Sequence, residues 1–330
     1  MGYENATYNS RVELGQKFAT AITNLGGTIK RQYQNTINGE PAYQVIVQVA
    51  SDVFMHYDFR WHRWYSRSGT THHVEGLFTK MGTAYVDGAD TVSGSVSGNF
   101  GGGGGGQNTT SNSGFQQYVP VPGKLHVARN NTTGEFVFCM ENPADSKSVL
   151  HGVGRIIMQD TTFGAVPQWW FDGEYHYRDA NSYNGVHFME NTDATGRSTA
   201  HTGQLQQRDS SGAVTGYEQM GAADKAWQRP MTGYQPLGRL GLYNAIVGNL
   251  SFEPSLTSIF LPALWCGVMG TDYTIRAPRG DRPAFKICNM RYLGVGQEVI
   301  YNNQSYRVFP CLGKGGESTP GIAFLVGAAS

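Results

Sequence analysis

Apolar residues recur at Leu14, Phe18, Ala21, Ile22 and Leu25, a spacing of three and four that places them on one face of a helix. Ser10 with Glu13 three residues later reads as a capping box and Gly26-Gly27 as a stop, so a helix is predicted over residues 10–25. Beyond the glycine pair the period changes to two. In "TIKRQYQNTINGEPAYQVIVQVA", Tyr43, Val45, Val47 and Val49 fall at alternate positions and Asn38-Gly39 supplies a turn, which predicts a hairpin leading out of the helix.

Strand-like blocks with turn residues between them fill much of the remaining chain. "KLHVARNNTTGEFVFCMEN" reads as a hairpin turning at Asn131 to Gly134, and "VIYNNQSYRVFP" as another turning at Asn302-Asn303. "VGRIIMQD", "PQWWFDGEYHY" and "NGVHFME" are further strand candidates, while residues 190–222 are polar and turn-rich and read as an exposed excursion. The predicted fold is mostly β (α+β), with antiparallel sheets or a sandwich, one N-terminal α-helix and long glycine-rich loops. Three regions are expected: a helix plus hairpins over 1–86, a flexible Gly/Ser-rich arm over 87–114, and a β-rich region over 115–330 that is either separate from the first or continuous with it.

Composition agrees with short strands joined by tight turns: the 330 residues include 44 glycines and 12% aromatics. Only 15% of residues are charged, and Lys+Arg equals Asp+Glu at 25 each, so no global field attracts polyanions and no nucleic-acid partner is expected. Cys139, Cys266, Cys288 and Cys311 are far apart without a CxxC pair, which predicts buried free thiols and no metal or organic cofactor. The N-terminus lacks a basic segment followed by an apolar one, and the longest apolar run, residues 258–270, is short and broken by Pro262, so synthesis in the cytoplasm without membrane insertion is expected.

Three stretches invite chemistry. Residues 59–73, "FRWHRWYSRSGTTHH", suit nucleic-acid stacking, a metal site or a sheet interior. Alternation puts Phe59, Trp61, Arg63 and Tyr65 on one face of a strand, and no second basic segment is present to track a phosphate backbone, so Phe59, Trp61 and Tyr65 are read as core. Neighbouring His72 and His73 face opposite ways and cannot chelate together, although His73 and Glu75 share a face. Asp172, Glu174 and His176 alternate on one strand and form the most catalytic-looking row, which is otherwise the polar edge opposite Phe171, Tyr175 and Tyr177. The six glycines from Gly101 satisfy any glycine spacing and lack the strand and helix of a phosphate-binding loop, and no nucleophile elbow, Walker loop or HExxH is present.

Several segments in order carry a resemblance: the helix ending in a glycine pair, "FRW...WYSRSGTT" with "HHVEGLFTKMG", "KLHVARNNTTGEFVFCME", "GYQPLGRLGLYNA" and "VIYNNQSYRVFPCL". Together they resemble virion structural proteins of tailed bacteriophages, in which a Y-x-P-L/I-G element such as Tyr234 to Gly238 precedes a hairpin and a last strand, as at residues 298–311. The resemblance implies a non-enzymatic tail, baseplate or neck component, located in the virion and partnered by copies of itself and by other tail or neck proteins. It transfers no catalytic residue. The alternative is a receptor- or carbohydrate-binding module using Trp169, Trp170 and Tyr183 as exposed stacking rings, and the third reading is a hydrolase using Asp172, Glu174 and His176.

Residues 87–114 contain almost nothing to bury, and ordering them costs roughly 1 to 2 kcal/mol per residue, so order is expected only through another chain, with Phe100 and Phe115 as anchors beside the glycine run. Deleting Gly101 to Gly106 is expected to leave the melting temperature of the subunit nearly unchanged and to weaken assembly, as measured by calorimetry and sedimentation. Unfolding of the isolated subunit would instead place the run in its core.

Overall fold

The structure, a computed structural model, describes residues 2–37, 39–65, 71–94, 115–118, 121–142, 144, 147–158, 168–173, 203–209, 211–220, 230–231, 263–269, 275–290, 292–310 and 320–329. Strand β1 (Tyr3–Tyr8) leads into helix α1 (Arg11–Asn24), the one helix among these residues. Ser10 caps it, its hydroxyl accepting from the Glu13 N–H at 3.2 Å. The Glu13 carboxylate returns to the N–H of Asn9 at 2.9 Å, one residue further back than a standard capping box requires. At the other end Gly26 takes φ +72°, and the Gly27 and Gly26 N–H groups close onto the carbonyls of Ile22 and Thr23, a Schellman stop.

The chain then builds a five-stranded antiparallel sheet from β2 (Thr28–Ile37), β3 (Glu40–Ala50), β4 (Val53–Tyr65), β5 (Thr71–Gly82) and β6 (Phe115–Tyr118), in that order. The first hairpin turns between Ile37 and Glu40, where Gly39 has φ +83°. A second, larger sheet contains β7 (Gly123–Arg129), β8 (Phe136–Asn142), β9 (Lys147–Met158), β15 (Ile275–Asn289), β16 (Glu298–Tyr301), β17 (Gln304–Pro310) and β18 (Pro320–Ala328), following the path β1-β7-β8-β9-β15-β18-β17-β16. The strands β10 (Gln168–Gly173), β11 (Gly203–Arg208) and β12 (Val214–Met220) branch from β9, and β14 (Ala263–Met269) with β13 (Pro230–Met231) from β15. The turn between β16 and β17 is Asn302-Asn303, both with positive φ, 51° and 58°, as a two-residue type I′ hairpin demands.

Helix α1 and the inner face of the five-stranded sheet share one core with the larger sheet. Leu14, Phe18 and Ile22 meet Val45, Met55, Tyr57 and Phe59 on one side and Phe136, Phe138, Val153 and Phe171 on the other. Residues on both sides of the 87–114 stretch therefore contribute to a single interior. A second core lies on the opposite face of β7 to β9, where Val137, Cys139 and Leu150 pack with Phe285, Phe309, Ile322 and Phe324. Because both of its faces are covered, β8 reads "FVFCM", a continuous apolar run rather than an alternation.

One expectation changes here. The first part of the supposed arm is tied down: Val92 is buried against Ile46 and Phe54, Asp90 pairs with Arg31 at 2.6 Å, and the Lys80 ammonium donates to the Val92 carbonyl. These contacts hold the 83–94 segment against the sheet, while residues 95–114, including Phe100 and the glycine run, lie outside the described residues. Phe115, expected as an anchor for a neighbouring chain, begins β6 and its main chain pairs opposite Thr79.

The ring of Phe18 lies 5.0 Å from that of Tyr57 and 4.8 Å from that of Phe138, so it touches both sheets. Phe18→Ala is expected to cost about 3–5 kcal/mol in chemical denaturation. Gly15→Ala tests the same interface from the opposite direction. Alanine normally gains about 1 kcal/mol over glycine in a helix, but here its Cβ would fall 2.7 Å and 2.8 Å from Tyr43 side-chain atoms. Overpacking of about 1–3 kcal/mol is expected to outweigh the propensity, giving a lower melting temperature.

Candidate functional site

Of the residues that the sequence singles out, Phe59 is buried in the shared core. Trp61 and Tyr65 lie on β4 opposite Glu75 and Thr71, and Arg63 and Trp64 lie opposite His73 and His72; the side chains of these residues are outside the described set. Asp172 lies on β10 between Gly152 and Gly203, whereas Glu174, His176 and Tyr183 fall outside the described residues, so that row is not assembled by what is described. Trp169 corrects an expectation. It is 6% exposed and packed in the main core, because its face of β10 also carries Phe171 toward the helix side, so its ring is no surface platform for a sugar. Trp170 follows on the same strand, its side chain outside the described set.

Polar chemistry is concentrated instead around His56, His126 and His151, the three histidines whose side chains are described. His126 on β7 is almost fully buried. The Tyr3 hydroxyl donates to its Nδ1 at 2.7 Å and its Nε2–H donates to the Glu141 carboxylate at 3.0 Å, which puts the proton of the neutral ring on Nε2. Burial lowers its pKa, while the Glu141 hydrogen bond and charge act in the opposite sense. The Arg307 guanidinium lies 4.5 Å over the Tyr3 ring and pairs with Glu298 at 2.9 Å. The relay therefore joins β1, β7 and β8 to β17, at the place where the two ends of the larger sheet's path meet.

On the outer face of the five-stranded sheet His56, Asp58 and Arg60 occupy alternate positions of β4. The Gln44 amide oxygen accepts from the Tyr33 hydroxyl and from His56 Nε2, the latter at 3.0 Å, and Thr91 of the 83–94 loop lies 3.3 Å from Nδ1. Asp58 and Arg60 are 7% and 5% exposed and form an ion pair at 3.5 Å. Desolvation, with the Lys80 and Arg60 charges adding to it, pushes His56 down to about 4, and burial pushes Asp58 up to about 6 against the pull of Arg60. His151 on β9 is sandwiched between Phe138 and Phe171 at 4.9 Å and 6.0 Å, and burial alone pushes it down to about 3.

The signal for the outer-face row stands in the sequence as "HYDFR", three ionisable groups at period two, masked by the denser aromatic stretch beside it. The Tyr3 and His126 partnership spans 123 residues and has no local signature. Among the described residues no group of three His, Cys, Asp or Glu is placed to hold a metal ion, and no helix is long and apolar enough to cross a membrane. Cys139 and Cys288 are buried and take part in no disulfide. No known protein family matches this chain, and no curated protein matches it significantly.

These pKa shifts give stability a defined pH dependence. His56 and His151 titrate at 6.5 when unfolded and at about 4 and about 3 when folded, so the unfolded state binds more protons and stability falls as pH drops from 6.5 through those values. Asp58 acts oppositely, gaining stability as pH falls from about 6 toward 3.8. Two histidines against one carboxyl leave a net loss on acidification. Urea midpoints are expected to fall between pH 7 and pH 4.5, and His151→Leu is expected to flatten that slope; a midpoint independent of pH would contradict it.

Proposed function

We propose that this chain is a non-enzymatic building block of a tailed-phage virion, in the tail, baseplate or neck, acting by packing against copies of itself and other virion proteins. The observation that carries this reading is that several of the described polar side chains act as ties within the fold. Tyr3, His126 and Glu141 tie the N-terminal strand down. Arg11 holds the helix start to the first hairpin through Glu40 at 3.0 Å and the Pro41 carbonyl at 2.6 Å. Arg208 joins β11 to Asp52 in the turn between β3 and β4, and Glu135 takes both the backbone and the guanidinium of Arg155. A catalytic base or nucleophile needs access and a pKa near the working pH, whereas burial drives the described histidines away from it. The order of segments that resembles phage structural proteins supplies the virion context.

Native mass spectrometry of the purified chain and electron microscopy of its assemblies test the proposal. A closed homo-oligomer of fixed symmetry, or a stable complex with another virion protein, is the expected outcome. A monomer at high concentration that binds no virion protein, or that turns over a substrate, would overturn it.

A further inference from the structure

Between the two sheets, where β4 and β5 face β9, the apolar packing is interrupted by three polar side chains. Tyr57 and Thr79 stand directly opposite each other on β4 and β5. The His151 ring meets the Tyr57 ring edge-on with centroids 5.4 Å apart. Exposure is 0% for Tyr57, 2% for Thr79 and 1% for His151. The Tyr57 Oη, the Thr79 Oγ1 and both imidazole nitrogens of His151 have no hydrogen-bond partner among the described residues. Their neighbours Phe138 and Phe171 present ring faces to the imidazole.

Taking hydroxyls and an imidazole out of water without replacement bonds is costly, and buried polar atoms are ordinarily paired with protein or with ordered water. We propose that this compartment is an internal water-binding site, one or two molecules held between the sheets by the Tyr57 and Thr79 hydroxyls and an imidazole nitrogen of His151. The chemistry suits water: each hydroxyl donates and accepts, the neutral imidazole offers one of each, and a buried water makes about three such bonds. A cation finds no ligand set here: among the described residues no group of three His, Cys, Asp or Glu is placed to hold a metal ion. The bridge gives the meeting of the two sheets a directional contact that the surrounding rings cannot, because ring packing alone tolerates small slides.

Tyr57→Phe and Thr79→Val remove one hydroxyl each while preserving shape, and the sign of the response separates a wet compartment from a dry one. Around a bound water each loss leaves the water short of a partner and lowers the melting temperature; in a dry compartment it deletes an unsatisfied group and raises it. Each variant is expected to lower the melting temperature by about 1–3 °C, and the pair to lower it by less than the sum, since both act on the same water. A crystal structure of the unaltered chain is expected to show water density within hydrogen-bonding distance of at least two of the three groups. A rise in melting temperature in either variant, or a dry compartment in the crystal, would overturn the proposal.

Discussion

The seating of Phe18 between two sheets is the contact on which the rest of the structure depends. A helix of 14 residues is marginal alone, and a five-stranded sheet with an apolar face is insoluble alone. Each cures the other only if a third surface closes the remaining side. Phe136 and Phe138 of the larger sheet provide it, reaching the Phe18 ring at 6.3 Å and 4.8 Å. Gly15 lets the helix approach Tyr43 and Phe59 closely enough for this, and the Schellman stop at Gly26 turns the chain at once into β2.

From that seat the strands of the larger sheet acquire two buried faces. One looks at the helix and the other at the Phe285 and Phe324 side, so β7 to β9 act as a shared wall between two cores. A wall without a solvent face has no place to put charge, and the ionisable groups that remain near it are neutralised or paired. His151 is held neutral among rings, and Glu135 is bonded to Arg155. Such pairs contribute little net stability but are expensive to break singly, which favours one arrangement of strands over its neighbours.

The outer face of the five-stranded sheet obeys a different rule. There Gln44, Asp58 and Arg60 are buried although the main core lies on the opposite face, and the 83–94 loop folds back over part of this face and clasps Arg31 and His56. The edge strand β2 beyond it is largely polar, "TIKRQYQNTI", and carries a bulge between Ile29 and Arg31. Both devices discourage unplanned pairing at that edge.

Much of the local structure was legible in the residues themselves. The helix and its caps, the hairpin at Asn38-Gly39, the turn after Asn130 and the hairpin at Asn302-Asn303 are short-range features, written in a period of 3.6 or 2 and in residues that accept positive φ. The candidate site was largely illegible. Tyr3 finds His126 only because β1 pairs with β7, and Arg307 reaches Tyr3 only because the far end of the sheet returns to its beginning. Trp169 looked like a surface ring in the sequence and became core because its face of β10 points toward the helix. Alternation tells which residues share a face; which face is buried is decided by the element packed against it, a long-range contact that no local pattern encodes.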